Sequence, residues 1–338
     1  MTSTELDPNA TLAELGVDSL MSLTILGRLR ESCSWDIPAT LLAGTSTVAR
    51  LFQALHDPAR QKTAPAAASN STHRATSILL QGNLQATTHQ LFLFPGGFGS
   101  SATFMTMPSI HPALAVFGLN SPFTHRAEDF TIGIPELAAL YLVEVRRRQP
   151  SGPYSFLGYS VGGIIAYEAC RQLVIAGETV DRLYLVDSPC PLAIPPMPPK
   201  LIQFLDSINR FGGTSTQGNH QERVQPMESL HITQTLASLE PYMPAPLPGH
   251  CCSARTTLYV AKHGVNQQSQ VEVLDAFERD RRVVTWLLED RTQLGAMGDG
   301  WETLVDPTLL TIVPVHGNHF NMMREPHVSA AEGIRNEY

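Results

Sequence analysis

Residues 152–173 read GPYSFLGYSVGGIIAYEACRQL, in which a predicted strand, a glycine-rich turn and a predicted helix follow one another. The run YSFLGY is apolar and short enough for a buried strand, and an apolar helical pattern follows the turn. The turn matches G-x-S-x-G, with Ser160 between Gly158 and Gly162. Such glycines permit a tight turn that raises a serine hydroxyl above the edge of a sheet. The stretch therefore predicts a nucleophile elbow, with Ser160 as nucleophile and the Val161 backbone N–H as an oxyanion donor.

Apolar runs of similar length recur on both sides of this turn and alternate with helical patterns. The predicted helices include Pro135 to Arg148, which opens on a proline, and Gly162 to Ile175. Near-continuous apolar strands separated by helices indicate a mostly parallel, doubly wound sheet. Together with the elbow, this pattern predicts an α/β-hydrolase fold. The predicted strands are 77–81, 90–94, 114–119, 154–159, 182–187, 257–262 and 310–315.

The segment 190–255 interrupts this alternation. It begins with PCPLAIPPMPPK and continues with weak helical patterns and a patch rich in glycine and glutamine. An interruption of this length within an α/β domain usually forms a lid or a functional insertion. We therefore predict a lid over residues 190–255.

A second oxyanion donor is predicted in the loop after the strand at 90–94. There, residues 94–100 read FPGGFGS, and their glycines allow backbone N–H groups to approach a ligand closely. A phosphate-binding loop is the alternative, but the lysine of a P-loop and the G-x-G-x-x-G spacing are both missing here. Gly97 is therefore the predicted second donor.

The general base is expected in the loop after the last predicted strand. That strand, LTIVPV, runs into HGNHF at 316–320, which offers two histidines three residues apart. We predict His319 as the base, with His316 as the alternative and His327 as a more distant one.

The acid is predicted by comparing two strand ends. Many α/β-hydrolases place it after the penultimate strand, but TLYVAK runs into His263 and Gly264 without a carboxylate. The preceding strand, RLYLVD, ends in Asp187, which is placed to hold the histidine tautomer and to stabilise the imidazolium. A turn-capping role is the structural alternative for Asp187, and Asp275 and Asp290 are the fallback acids.

Composition excludes several other classes of protein. The net charge is −8 and no stripe of Lys and Arg with interleaved aromatics occurs, so a nucleic-acid partner is not expected. No apolar run of about 18 residues occurs, and the first residues lack a signal-peptide pattern, so we expect no membrane span and a cytoplasmic location. The five cysteines show no metal-ligand spacing, and no metal is expected.

The N-terminal part differs from the rest. Residues 57–76 are rich in Ala, Pro, Ser and Thr and predict a linker. Before it, leucines at helical spacing follow GVDSL at 16–20, and a second helix is predicted from Thr47 to Leu55. Over about residues 8–56 this part resembles acyl and peptidyl carrier proteins. The resemblance implies that Ser19 bears a 4′-phosphopantetheine group, and because only seven residues precede Pro8, the first carrier helix is expected to be missing.

The predicted second domain is 77–338, and over about residues 77–325 it resembles the thioesterase/Claisen-cyclase domain that ends fungal non-reducing polyketide synthases. The motifs that carry the resemblance are SILLQG, LFLFPGGFGSSATF, GPYSFLGYSVGGIIAYEACRQL, LYLVDSP and GNHFNMM. The resemblance implies a triad of Ser160, Asp187 and His319, and a carrier domain with its polyketide thioester as partner. It thus implies an enzyme that takes the acyl chain from a pantetheine thiol to Ser160 and releases it by Claisen cyclisation or by hydrolysis. The alternative is a non-catalytic remnant that binds a synthase.

Overall fold

A computed structural model of the chain describes residues 10–11, 47–49, 53, 73–207, 226–248, 254–265, 281–291, 300–324, 327 and 329–337. Contacts divide the chain into a first unit of Met1–Thr72 with Ile78–Leu80 and a second unit of His73–Ser77 with Gln81–Tyr338. In the first unit, Thr11 and Thr47 form an antiparallel bridge. The predicted attachment residue Ser19 lies outside the described residues.

A seven-stranded sheet is the centre of the described fold. Its strands lie in the order β1-β3-β2-β4-β5-β6-β7, and the pairs β2–β3, β2–β4, β4–β5, β5–β6 and β6–β7 are parallel. Strands β2 to β5 are almost wholly buried, as their apolar sequences require. The strands are β1 (Thr76–Gln81), β2 (His89–Phe94), β3 (Leu114–Asn120), β4 (Tyr154–Tyr159), β5 (Val180–Val186), β6 (Arg255–Ala261) and β7 (Leu310–Val315).

Helices connect these strands as a doubly wound sheet requires. Helix α1 begins with a proline in its first turn and ends with three arginines, where cations complement the helix dipole. Helix α2 starts directly after β4 and packs against α1, β4 and β5, which leaves few of its side chains exposed. The helices are α1 (Ile134–Arg148), α2 (Val161–Ile175), α3 (Pro199–Ser207), α4 (Pro226–Leu239), α5 (Arg281–Leu288) and α6 (Ser329–Arg335).

The sequence-based fold prediction is confirmed. All seven predicted strands are present with ends that differ by at most two residues, and both predicted helices are present, each starting one residue earlier. The topology places the carboxyl ends of β2, β4, β5, β6 and β7 along one edge of the sheet. Ser160, Asp187 and the predicted histidines all follow these strand ends.

The predicted lid segment lies between β5 and β6 and contains α3 and α4. Leu201 and Leu205 of α3 belong to an apolar cluster with Val283, Trp286 and Leu287 of α5. Helix α4 contributes buried His231 and Ile232, and it contacts the loop after β2. Whether this segment opens and closes over the site stays a prediction.

Among the residues that the structure describes, no helix combines the length and the apolar character that crossing a bilayer requires. Within the same part of the chain, no three or more His, Cys, Asp or Glu side chains are grouped so that they could hold a metal ion.

Candidate active site

The turn between β4 and α2 forces Ser160 into an unusual backbone conformation. Its φ is +58° and its ψ is −130°, a combination that non-glycine residues rarely adopt. A Cβ at Gly158 would lie 2.4 Å from the Gly163 Cα, and a Cβ at Gly162 would lie 2.3 Å from the Phe94 carbonyl oxygen. Glycine is therefore required on both sides of the serine, and the tight turn aims Ser160 away from the strand.

Ser160, His319 and Asp187 form a continuous chain of hydrogen bonds. Ser160 Oγ lies 3.1 Å from His319 Nε2, and His319 Nδ1 lies 2.8 Å from Asp187 Oδ2. Because an ionised carboxylate only accepts, Nδ1 carries the proton and Nε2 is left to accept from the serine hydroxyl. Ser160 is half-buried, whereas His319 and Asp187 are buried. This is the geometry in which a histidine can remove a serine proton during nucleophilic attack.

Three groups donate hydrogen bonds to the carboxylate of Asp187. Besides His319, the Ala261 backbone N–H donates to Oδ1 at 2.9 Å, and Arg291 Nη2 donates to both carboxylate oxygens. Burial alone would raise the pKa of Asp187, but the Arg291 guanidinium and the bond from His319 outweigh burial and hold that pKa below its usual range. Asp187 itself has a φ of +43°, so its backbone is also in the left-handed region. The carboxylate therefore stays ionised and faces the imidazole.

Aromatic rings enclose the imidazole of His319. Tyr159 stacks on it at a centroid distance of 5.1 Å, and Trp286 and Phe320 meet it edge-on at 5.0 and 5.1 Å. The Tyr159 hydroxyl also donates to the His319 carbonyl at 2.6 Å. These contacts restrict the orientations of the ring and keep water from its faces, which strengthens its bonds to Ser160 and Asp187.

The other titratable candidates lie elsewhere. His316 is exposed, and its ring centroid lies 5.9 Å from that of His263. His327 is half-buried, and its backbone N–H donates to the Arg324 carbonyl. Asp290 is exposed and approaches His263 at 3.6 Å. The structure thus brings His319 and Asp187, and not these alternatives, to Ser160; Asp275 lies outside the described residues.

The two predicted oxyanion donors flank the same turn. Val161 is the first residue of α2, where backbone N–H groups have no acceptor within the helix. The loop after β2 lies beside this helix start. A Cβ at Gly96 of the loop would be 3.3 Å from the Tyr159 ring, and a Cβ at Gly162 of the helix would be 2.5 Å from the Pro95 carbonyl. Gly97 follows in this loop and packs against Ile232 of α4. The loop that contains Gly97 therefore lies beside the first turn of α2, and the roles of Gly97 and Val161 as oxyanion donors stay a prediction.

Two buried residues at the site were not predicted from the sequence. Arg291 binds Asp187, and His231 of α4 binds the Gly97 carbonyl. Neither belongs to a motif, and neither is marked by a local signal: His231 lies in a helix with a weak apolar pattern, and Arg291 stands among polar residues, after Glu289 and Asp290.

The sheet, the elbow and the strand-end residues define the class of α/β-hydrolases. Within it, the chain belongs to the thioesterase family, because the thioesterase-domain family model matches residues 89–336. A second family model, the phosphopantetheine attachment site, matches residues 1–55 and implies a covalently attached phosphopantetheine. The resemblance to a carrier followed by a thioesterase domain is therefore confirmed.

Relatives and solved structures agree with this assignment. The chain is 38% identical over 94% of its length to a conidial pigment polyketide synthase, alb1, of Aspergillus fumigatus, and 36% identical over 95% to a non-reducing polyketide synthase, terA, of Aspergillus terreus. It spans only 16% and 17% of the length of those two relatives.

Among solved structures, the NocB thioesterase domain is similar with a TM-score of 0.53 at 22% identity, covering 78% of this chain and 98% of that one. The RedJ thioesterase of Streptomyces coelicolor is similar with a TM-score of 0.51 at 17% identity, covering 81% and 97%. At these identities the two structures support the fold alone.

Proposed function

We propose that this chain is a serine thioesterase that takes a polyketide acyl group from a pantetheine thiol onto Ser160 and then releases it. The observation that carries the proposal is the unbroken chain from Ser160 Oγ through His319 to Asp187, with bonds of 3.1 and 2.8 Å. A serine hydroxyl is a weak nucleophile at neutral pH, and a hydrogen-bonded base removes that limitation.

Acylation follows from this geometry. His319 Nε2 takes the Ser160 proton while Oγ attacks the thioester carbon, and Asp187 stabilises the imidazolium that forms. The negative charge that develops on the carbonyl oxygen is stabilised by the N–H of Val161 and an N–H of the Gly97 loop. The C–S bond then breaks, the thiolate takes the proton from His319, and the acyl group remains on Ser160 as an ester.

Two release routes start from that ester. In hydrolysis, His319 removes a proton from water, which attacks the ester carbon; the bond from that carbon to Ser160 Oγ then breaks, and Oγ takes the proton from His319. In Claisen cyclisation, His319 removes a proton alpha to a carbonyl of the acyl chain, and the resulting carbanion attacks the ester carbon and expels Ser160 Oγ. Cyclisation requires a site that excludes water, and the buried, aromatic-lined surroundings of His319 support this route as the main one.

The substrate class is proposed from the relatives and the N-terminal match. The relatives are polyketide synthases by name, and the phosphopantetheine attachment model covers Ser19. We assign Ser19 as the attachment residue, since a serine hydroxyl is the group that such an attachment requires. When bound, the phosphopantetheine presents the acyl chain as a thioester on a flexible arm. The partner of the thioesterase unit is thus a carrier domain with its polyketide thioester.

Covalent labelling and product analysis test the proposal. A fluorophosphonate should label the purified chain at Ser160 and no longer label Ser160→Ala, as read by peptide mass spectrometry. With the N-acetylcysteamine thioester of a polyketone chain, the product mass separates the routes, because hydrolysis adds a water that cyclisation does not. A chain that neither reacts with the probe nor turns over the thioester would be a binding remnant, and the proposal would fail.

The assignment of Ser19 has its own test. Although the first carrier helix is expected to be missing, the attachment-site model matches residues 1–55. Incubation with coenzyme A and a broad-specificity phosphopantetheinyl transferase should therefore add the arm to the chain, as read by intact mass. The Ser22→Ala variant, altered at a nearby serine, should be modified equally, whereas Ser19→Ala should not be modified. Modification of Ser19→Ala would place the attachment elsewhere.

A further inference from the structure

A buried histidine of α4, His231, contacts the loop after β2. His231 is 2% exposed, and its Nδ1 lies 2.8 Å from the Gly97 carbonyl oxygen. Its Nε2 lies 2.9 Å from Oγ of Ser121, the residue that follows β3. The imidazole therefore bridges two strand-end loops, which are also joined directly where the Ser121 N–H donates to the Gly99 carbonyl at 2.7 Å.

The partners fix which ring nitrogen carries the proton. A carbonyl oxygen only accepts, so His231 donates from Nδ1–H to Gly97. The neutral ring then accepts at Nε2 from the Ser121 hydroxyl, whose oxygen also accepts from the Phe123 N–H at 3.2 Å. Burial lowers the pKa of His231, and the Gly97 carbonyl opposes this only in part. One neutral tautomer, protonated at Nδ1, thus satisfies the contacts with Gly97 and Ser121.

The bond from His231 is the main restraint on the Gly97 carbonyl. Thr235 Oγ also lies 3.2 Å from that carbonyl, but its single proton has a nearer acceptor in the His231 carbonyl at 2.9 Å. Next in the loop, Gly99 has a φ of +67°, and a Cβ there would lie 2.4 Å from the His231 ring. The ring and the loop therefore fit together with no room for a side chain between them.

We propose that His231 is a positioning residue for the reaction at Ser160: by holding the Gly97 carbonyl it sets the orientation in which the loop after β2 presents its N–H groups to the oxyanion. This inference rests on the proposed function. The Gly97 carbonyl shares a planar peptide unit with the Phe98 N–H, so a change in its orientation would also reorient neighbouring N–H groups of the loop. Helix α4 belongs to the predicted lid segment. The predicted lid segment thus contacts the loop after β2 through the His231 bond, with Ile232 packed against Gly97 and Thr235 near the same carbonyl.

Two replacements of His231 separate this role from a general packing role. An asparagine places its amide N–H close to where Nδ1–H stood, whereas a glutamine places its amide near the position of Nε2. His231→Asn therefore keeps a donor for Gly97, and His231→Gln keeps a partner for Ser121. With a hexanoyl N-acetylcysteamine thioester, His231→Gln should lose about 100-fold in kcat and His231→Asn no more than about threefold, since a shift of about 1 Å in a positioning group can cost 100-fold. KM should change little in either variant.

Melting temperatures and labelling rates show whether a loss of kcat comes from lost positioning or from lost stability. Both variants lose packing contacts, so their melting temperatures should fall by similar amounts, while the rate of fluorophosphonate labelling should follow kcat. Equal kcat values for the two variants, or values that follow melting temperature alone, would overturn the inference. Failure of the unsubstituted chain to label or turn over would instead defeat the proposed function.

A measurement on the unsubstituted chain covers the case in which the variants do not fold. In ¹⁵N-labelled protein, His231, assigned through its own backbone resonances, should be neutral and protonated at Nδ1. A ring protonated at Nε2 alone cannot donate to Gly97 and would overturn the inference.

Discussion

Arg291 donates from a single nitrogen, Nη2, to both carboxylate oxygens of Asp187, at 3.0 and 2.9 Å. Both side chains are almost completely buried, with 5% and 1% of their surface exposed. The guanidinium also lies 5.3 Å from the centre of the Trp286 ring, which contacts His319. Arg291, in the segment after α5, thus fixes the position of the acid of the proposed triad.

Arg291→Gln should destabilise the fold strongly. Removing one partner of a buried ion pair leaves the other charge uncompensated and costs about 3–5 kcal/mol, which urea unfolding at neutral pH measures. The matched control is Arg255→Gln, because Arg255 binds Asp181 at a similar 3.0 Å but with 56% and 40% of the two side chains exposed. That change should cost less than about 1 kcal/mol. Equal costs would contradict a special role for burial.

The same variant should shift the pH dependence of stability. Because the folded-state pKa of Asp187 is lowered, the ionised carboxylate stabilises the fold above its unfolded-state pKa, and this contribution is lost as pH falls through the folded-state pKa. Without Arg291, burial dominates and the pKa of Asp187 rises. Protonation of Asp187 then no longer removes a favourable charge pair, so urea midpoints measured from pH 7.5 downward should fall less in Arg291→Gln than in the unsubstituted chain. Parallel curves would contradict this.

Asp187→Asn should lose both activity and stability. An amide in place of the carboxylate no longer selects the Nδ1–H tautomer of His319, and kcat should fall by about 10⁴. Arg291 then loses its counter-charge, so unfolding requires less free energy as well. The double variant with Arg291→Gln should recover part of the stability and none of the activity. An active Asp187→Asn would move the acid to another residue.

Substitutions of the serine and of two histidines test the site itself. Ser160→Ala and His319→Ala should each lower kcat by about 10⁴–10⁶, measured with a small thioester. His316→Ala is the control, since that side chain is exposed and follows the same strand. It should leave kcat close to that of the unsubstituted chain. The reverse result for the two histidines would exchange their roles.

Gly162→Ala should disturb the site through sterics. Its Cβ would lie 2.3 and 2.5 Å from the carbonyl oxygens of Phe94 and Pro95, so the elbow and the loop after β2 would move apart. We expect a loss of at least about 1–3 kcal/mol in unfolding free energy together with a loss of kcat. Gly177→Ala provides the comparison: its φ is +80°, but no atom lies within 4 Å. That variant should lose stability through backbone strain and keep its kcat.

The sequence predicted the sheet well because each buried strand is a continuous apolar run whose identity does not depend on distant residues. Ser160 was identifiable for the same reason, since the strand, turn and helix that place it are contiguous. The choice of His319 over His316 was harder, because both follow β7 and only tertiary packing buries one and exposes the other.

Arg291 and His231 were not predictable in this way. Arg291 lies 104 positions from the aspartate it binds, and His231 lies 134 positions from the glycine it holds. Their roles arise from how α5 and α4 pack against the strand ends, and no local pattern encodes such packing. Long-range contacts of single side chains are thus the part of the site that required the structure.

The position of Asp187 after β5 has a consequence for how such a protein can diversify. With the acid there and His319 after β7, none of the three reacting side chains comes from the segment between β6 and β7. That segment can then change over evolution without replacing a participant in the chemistry, provided that Arg291 still reaches the aspartate and Trp286 still packs on the His319 ring.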